Sequence, residues 1–103
     1  MHRIIEQNID GIMRICTRHR VRRLAVFGSV TDDRFDADKS DLDLLVEFET
    51  MPPAEHADQF FGLAEDLEHL FNRPVDLVEQ EAVHNPYFRK SLEETQVEIY
   101  SAA

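Results

Sequence analysis

Cysteine, tryptophan and basic residues are scarce in this chain. It has 103 residues, one cysteine (Cys16), no tryptophan, and eleven Lys and Arg against twenty-one Asp and Glu. A single thiol excludes a disulfide framework within a monomer. The net charge of −10 argues against a nucleic-acid backbone as the main partner, because phosphates attract cations. No apolar run reaches the roughly 18 residues needed to span a membrane. Glu6, Asp10 and Arg14 interrupt the apolar stretches at the N-terminus, so a signal-peptide core is missing and a cytoplasmic location is expected. What is present, 43% hydrophobic and 31% charged residues, suits one soluble domain over residues 1–103. The charge is uneven. Residues 1–23 hold six of the eleven basic residues against Glu6 and Asp10, a net +4, which leaves −14 on the remainder.

Apolar periodicity divides the chain into alternating elements. Residues 3–19 read as a helix, with Ile5, Ile9, Ile12 and Cys16 on one stripe. An apolar strand over 22–27 stops at Gly28, and a second strand covers Leu42 to Phe48. In that second strand Leu42, Leu44, Val46 and Phe48 alternate with Asp41, Asp43, Leu45 and Glu47, so one face is apolar and the other carries acids. After Met51-Pro52-Pro53 a helix spans 54–71, its stripe formed by Phe60, Leu63, Ala64, Leu67 and Phe71 and widened by Phe61 and Leu70. A third strand follows over 74–79 and contains Asp76; a helix from Pro86 to about Glu94 and a strand over 97–100 close the chain. The expected fold is α/β: a small mixed sheet with helices packed on one face and the acids on the other.

Chemistry concentrates between residues 27 and 48. Gly28-Ser29 closes an apolar run with bare backbone N–H groups and a hydroxyl, a common means of holding phosphate. Asp41 and Asp43, one residue apart on a strand, point the same way at a Cα separation of about 7 Å. Two such carboxylates can share divalent metal, and the metal can hold a nucleotide's phosphates. If the third strand lies beside the second, Asp76 joins them as a further ligand or as the acceptor of a proton from an attacking hydroxyl. Anion holder plus metal holder reads as phosphoryl or nucleotidyl transfer.

Two plainer readings compete. The stretch from Asp36 to Glu47 nearly fits an EF-hand calcium loop, but the sixth position, which needs Gly, is Asp41, and a strand follows where a helix should leave. Any one Asp-x-Asp is also more often a solvated strand end than a catalytic pair. Gly-Ser upstream and Asp76 downstream shift the balance toward catalysis. The five histidines show no ligand spacing and read as surface residues, Cys16 reads as packing, and Tyr87, Phe88 and Tyr100 read as packing and not as stacking platforms.

The combination Gly28-Ser29, Asp41-x-Asp43 and a later Asp76 resembles the polymerase-beta-type nucleotidyltransferases, specifically the minimal nucleotidyltransferases, over nearly the whole chain. Eleven residues separate Ser29 from Asp41, one more than the family's usual ten or so. The resemblance implies that Asp41, Asp43 and Asp76 are catalytic and hold Mg²⁺, at two sites, and that Gly28 and Ser29 grip the triphosphate of ATP. Val30-Thr31-Asp32-Asp33 lacks the basic residue often found there, which leaves Arg22, Arg23 and Arg34 as candidate cations for the nucleotide. It further implies transfer of AMP to a protein, a tyrosine of a HEPN-domain ribonuclease toxin, which makes this chain an antitoxin. The alternatives are an antitoxin that acts by contact alone and nucleotidyl transfer to a small molecule such as an aminoglycoside.

Overall fold

Alternation along β2 (Leu42–Phe48) sorts its side chains onto two faces, and the fold covers those faces unequally. The computed structural model describes residues 3–31 and 41–102, apart from the side chains of Ser29 and Val30. In chain order the elements are α1 (Arg3–Glu6), α2 (Ile9–Arg18), β1 (Val21–Phe27), a 3₁₀ turn (Gly28–Thr31), β2, α3 (Pro53–Phe71), β3 (Val75–Glu79), a second 3₁₀ turn (Gln80–Ala82), α4 (Pro86–Thr95) and β4 (Val97–Ser101). The sheet order is β3-β2-β1-β4. β1 pairs antiparallel with both β2 and β4, whereas β2 and β3 are parallel, the 19-residue α3 supplying the crossover a parallel pair requires. The sheet is therefore mixed.

The main core lies on the apolar face. Leu24 and Val26 of β1 and Leu42, Leu44 and Val46 of β2 meet Ile12 and Cys16 of α2 and Leu63, Leu67 and Phe71 of α3. Each fully buried Leu, Ile or Val removes enough apolar surface to stabilise the fold by about 1.5–3 kcal/mol. Burial pushes the Cys16 thiol up to about 12, as suits inert packing. α4 adds a second, smaller cluster on the opposite face: Leu92 packs with Ala25, Phe27, Leu45 and Val83. The helices α2 and α3 occupy one face as expected, and α4, as long as α2, corrects the expectation by covering part of the acid face.

Local chemistry corrects three details. The helix expected over 3–19 is broken at Gln7-Asn8, because the Asn8 side chain donates to the Ile4 carbonyl at 2.7 Å and draws the backbone out of its ladder. The break turns Ile9 outward, to 37% exposure, and Ile15 takes its place in the core. On α3 the fully buried stripe narrows to Leu63, Leu67 and Phe71, and Phe61 stands 69% exposed with its ring edge-on to Phe60. His19 is not a simple surface residue: its ring bridges Gln59 (2.8 Å) and Asp66 (2.6 Å) between α2 and α3.

The helix α3 ends where Asn72 adopts a left-handed conformation, φ 52°, with its N–H on the Glu68 carbonyl. The Glu68 carboxylate then accepts from the Val75 N–H at 3.1 Å, and Leu42 N–H donates to the Pro74 carbonyl at 3.1 Å. These bonds set the entry of β3 and with it the β2–β3 register.

Candidate active site

Parallel pairing places Asp43 directly beside Asp76. In a parallel ladder aligned residues point to the same side of the sheet, and Asp41, two residues before Asp43, shares that side. Asp41 and Asp76 are exposed; Asp43 is half-buried. Burial raises the pKa of Asp43 above its ordinary value, and the negative charges of Asp76 and then Asp41 add to the rise. Asp43 thus feels both neighbouring carboxylates. The three share a face without converging into a ready-made metal-ligand set among the described residues. Their donor chemistry is hard oxygen with no thiolate or imidazole, which suits Mg²⁺ or Mn²⁺, and their mutual repulsion is what a divalent cation would relieve.

The Gly28 turn is built against this acid pair. β1 and β2 align Phe27 with Asp43, so the chain leaves β1 next to the Asp43 carboxylate. Gly28 has φ +73°, a region that L side chains rarely adopt, and a Cβ there would collide with Asp43 Oδ2. Glycine is needed twice over, for the backbone conformation and for the close approach. The Thr31 hydroxyl closes the turn by donating to the Gly28 carbonyl at 2.7 Å. Asp41, Asp43, Asp76 and Gly28 are therefore gathered at one end of one face. The Ser29 side chain and Arg34 lie outside the described residues, as do residues 36–40 of the stretch that resembled a calcium loop.

Two candidate cations are already engaged. Arg22 pairs with Glu47 at 3.0 Å, and Arg23 donates to Glu98 (2.6 Å) and Gln96 (2.7 Å). A cavity of about 430 Å³ opens between Arg22, Glu47, His56, Glu79 and Arg89, with His56 bonded to Glu79. It lies toward the other end of β2, since Glu47 is four residues, about 13 Å, along the strand from Asp43. The Gly28 turn and the three acids coincide at the end of β2 away from this cavity.

At the start of α4 the expectation that Tyr87 and Phe88 are packing residues is corrected in part. Tyr87 is 84% exposed and so is not packing, and Phe88 is 41% exposed with its ring 6.1 Å from that of Phe27. The available signal was Asn85-Pro86, a helix start that fixes where the next two side chains emerge.

Comparison with known proteins gives a consistent answer. Residues 11–98 match the nucleotidyltransferase domain family. A provisionally named protein adenylyltransferase of Methanocaldococcus jannaschii is 40% identical over 77 residues, 75% of this chain and 74% of the relative. A second from the same organism is 34% identical over 75% of each chain. Among solved structures, one described as a minimal nucleotidyltransferase superposes with a TM-score of 0.70 at 30% identity, covering 94% of this chain and 95% of that one. A complex of a tri-AMPylated Shewanella oneidensis HEPN toxin with an MNT antitoxin shares the fold, at a TM-score of 0.63 and 16% identity over 95% of this chain and 73% of that one. With most of its length matched in sequence and in backbone, the chain belongs to the nucleotidyltransferase domain family and is a nucleotidyltransferase of minimal size.

Proposed function

We propose that this protein transfers AMP from ATP, with Mg²⁺, to a tyrosine hydroxyl of a HEPN-domain toxin in the cytoplasm, and so acts as its antitoxin. The observation that carries the chemistry is the alignment of Asp43 with Asp76 beside the Gly28 turn. The toxin as acceptor is supported by a structural neighbour that pairs this fold with a tri-AMPylated HEPN toxin, and by others described as toxin-antitoxin complexes. The protein adenylyltransferase names of the sequence relatives support a protein acceptor.

Asp41 and Asp43 would hold Mg²⁺, with Asp76 as a further ligand; when bound, the ion neutralises phosphate charge and orients the α-phosphate. The backbone of the Gly28 turn binds the triphosphate. The acceptor oxygen attacks the α-phosphorus, a new P–O bond forms, the bond to the β-phosphate bridge breaks, and pyrophosphate leaves. The hydroxyl proton passes to Asp76. A tyrosine with a pKa near 10 is a poor nucleophile at neutral pH, so this proton transfer is needed.

Asp76→Asn tests the assignment. ATP affinity should stay close to that of the parent, while transfer of labelled AMP to a HEPN toxin offered as acceptor falls about 10²–10⁴-fold. Mass spectrometry of the acceptor after incubation with ATP and Mg²⁺ identifies the modified residue. If Asp76→Asn still neutralises the toxin without transferring AMP, the protein acts by contact and the enzymatic antitoxin reading fails.

A further inference from the structure

The aromatic residues at the start of α4 have no role in the reaction described above, and one of them is held where a substrate could use it. Phe27 is the last residue of β1, immediately before Gly28, and aligns with Asp43. Its ring is almost fully buried and leans on Phe88, whose ring centroid is 6.1 Å away at 59°. Three features position Phe88. The Asn85 side chain accepts from the Tyr87 and Phe88 N–H groups at 2.9 and 3.1 Å, Phe27 braces the ring, and Leu92, one turn on, is anchored in the cluster with Ala25 and Leu45. Yet Phe88 remains 41% exposed. A large apolar ring immobilised on the acid-bearing face, one ring away from the phosphate-type turn, is a surface that a flat aromatic ligand can cover.

We propose that Phe88 is the stacking platform for the nucleobase of the donor nucleotide. The inference rests on the nucleotide reading of the Gly28–Asp43 site and adds to it a contact to the base. Every base has a π face, so stacking is tolerant of base identity and favours the larger purines. Tyr87 is the neighbouring alternative, but it is 84% exposed and its ring has no aromatic partner among the described residues.

Equilibrium titration of the intact protein with two probes, ATP and inorganic tripolyphosphate, each with Mg²⁺, separates base from phosphate contacts. Phe88→Leu keeps apolar packing on Phe27 without a π face, Phe88→Ala removes both, and Phe88→Trp restores an aromatic face. Phe88→Leu and Phe88→Ala should weaken ATP about 10-fold and leave tripolyphosphate unchanged, and Phe88→Trp should bind ATP at least as well as the parent. Tyr87→Ala should change neither. The proposal is overturned if Phe88→Leu binds ATP like the parent, if ATP and tripolyphosphate weaken together (Phe88 then props the turn through Phe27), or if Tyr87→Ala carries the loss. A parent protein that binds neither probe removes the nucleotide-site reading itself, and this inference with it.

Discussion

On one face of the sheet, Leu24, Val26, Leu42, Leu44 and Val46 lie beneath α2 and α3 with at most 1% exposure. On the other, Asp41 at the entry of β2, Asp43 and Glu47 of β2 and Asp76 of β3 surround a small apolar island of Ala25, Phe27 and Leu45 under α4. Neighbouring residues of one strand, Asp43 and Leu44, thus serve opposite purposes. The apolar face stabilises the fold by removing surface from water. The acid face half-buries a carboxylate and sets like charges beside it, and burial first, then repulsion from Asp76 and Asp41, raise the pKa of Asp43 at a cost in stability. Such a cost is what a site built to receive a cation should show, and the larger core beneath is what offsets it.

Substituting each member of that neighbouring pair breaks the comparison most directly. Asp43→Asn should reduce AMP transfer below detection, while its melting temperature holds or rises, because burial and repulsion no longer act on a charge. Leu44→Ala should instead lose about 2–5 kcal/mol of folding stability, and the molecules that remain folded should still bind ATP. Urea unfolding and transfer assays on the same samples check both. Full activity in Asp43→Asn would end the metal-site reading.

Gly28→Ala sharpens the contrast, since Gly28 lies at the join of fold and site. An alanine there takes on an unfavourable φ and must push the Asp43 carboxylate aside. A stability loss of about 1–3 kcal/mol is expected, together with weaker ATP–Mg²⁺ binding. Calorimetric titration beside thermal melting tests this; unchanged ATP affinity would show that the Gly28–Asp43 approach does not matter to the ligand.

The smallest effect belongs to the helix side. Asp66 is held below its ordinary pKa, chiefly by the hydrogen bond from His19 and, against the opposing effect of burial, by Arg18. Its carboxylate therefore contributes stability that is present above the unfolded carboxylate pKa and lost as pH falls through the lowered native value. The parent should lose more melting temperature between pH 6 and pH 3, on the order of these pKa values, than Asp66→Asn does. AMP transfer near neutral pH should be the same in both.

Local pattern carried much of this protein. Alternation along 42–48 told which side chains share a face, because a strand's period of two leaves no choice. The 3.6-residue period located α3, and Pro74 and Asn85-Pro86 marked the starts of β3 and α4. The motif Gly28-Ser29 with Asp41-x-Asp43 was legible for the same reason: its parts act through backbone shape and strand alternation, both local. Only the tertiary structure decided that β3 lies parallel to β2 with Asp76 level with Asp43, since pairing partner and register depend on contacts more than thirty residues apart along the chain. It also decided that Arg22 and Arg23 answer Glu47 and Glu98, that Phe61 faces outward, and that α4 crosses to the acid face and sets Phe88 against Phe27. A helix's own periodicity says which of its sides is apolar, not which surface of the sheet that side will meet. That choice belongs to the packing of the whole chain.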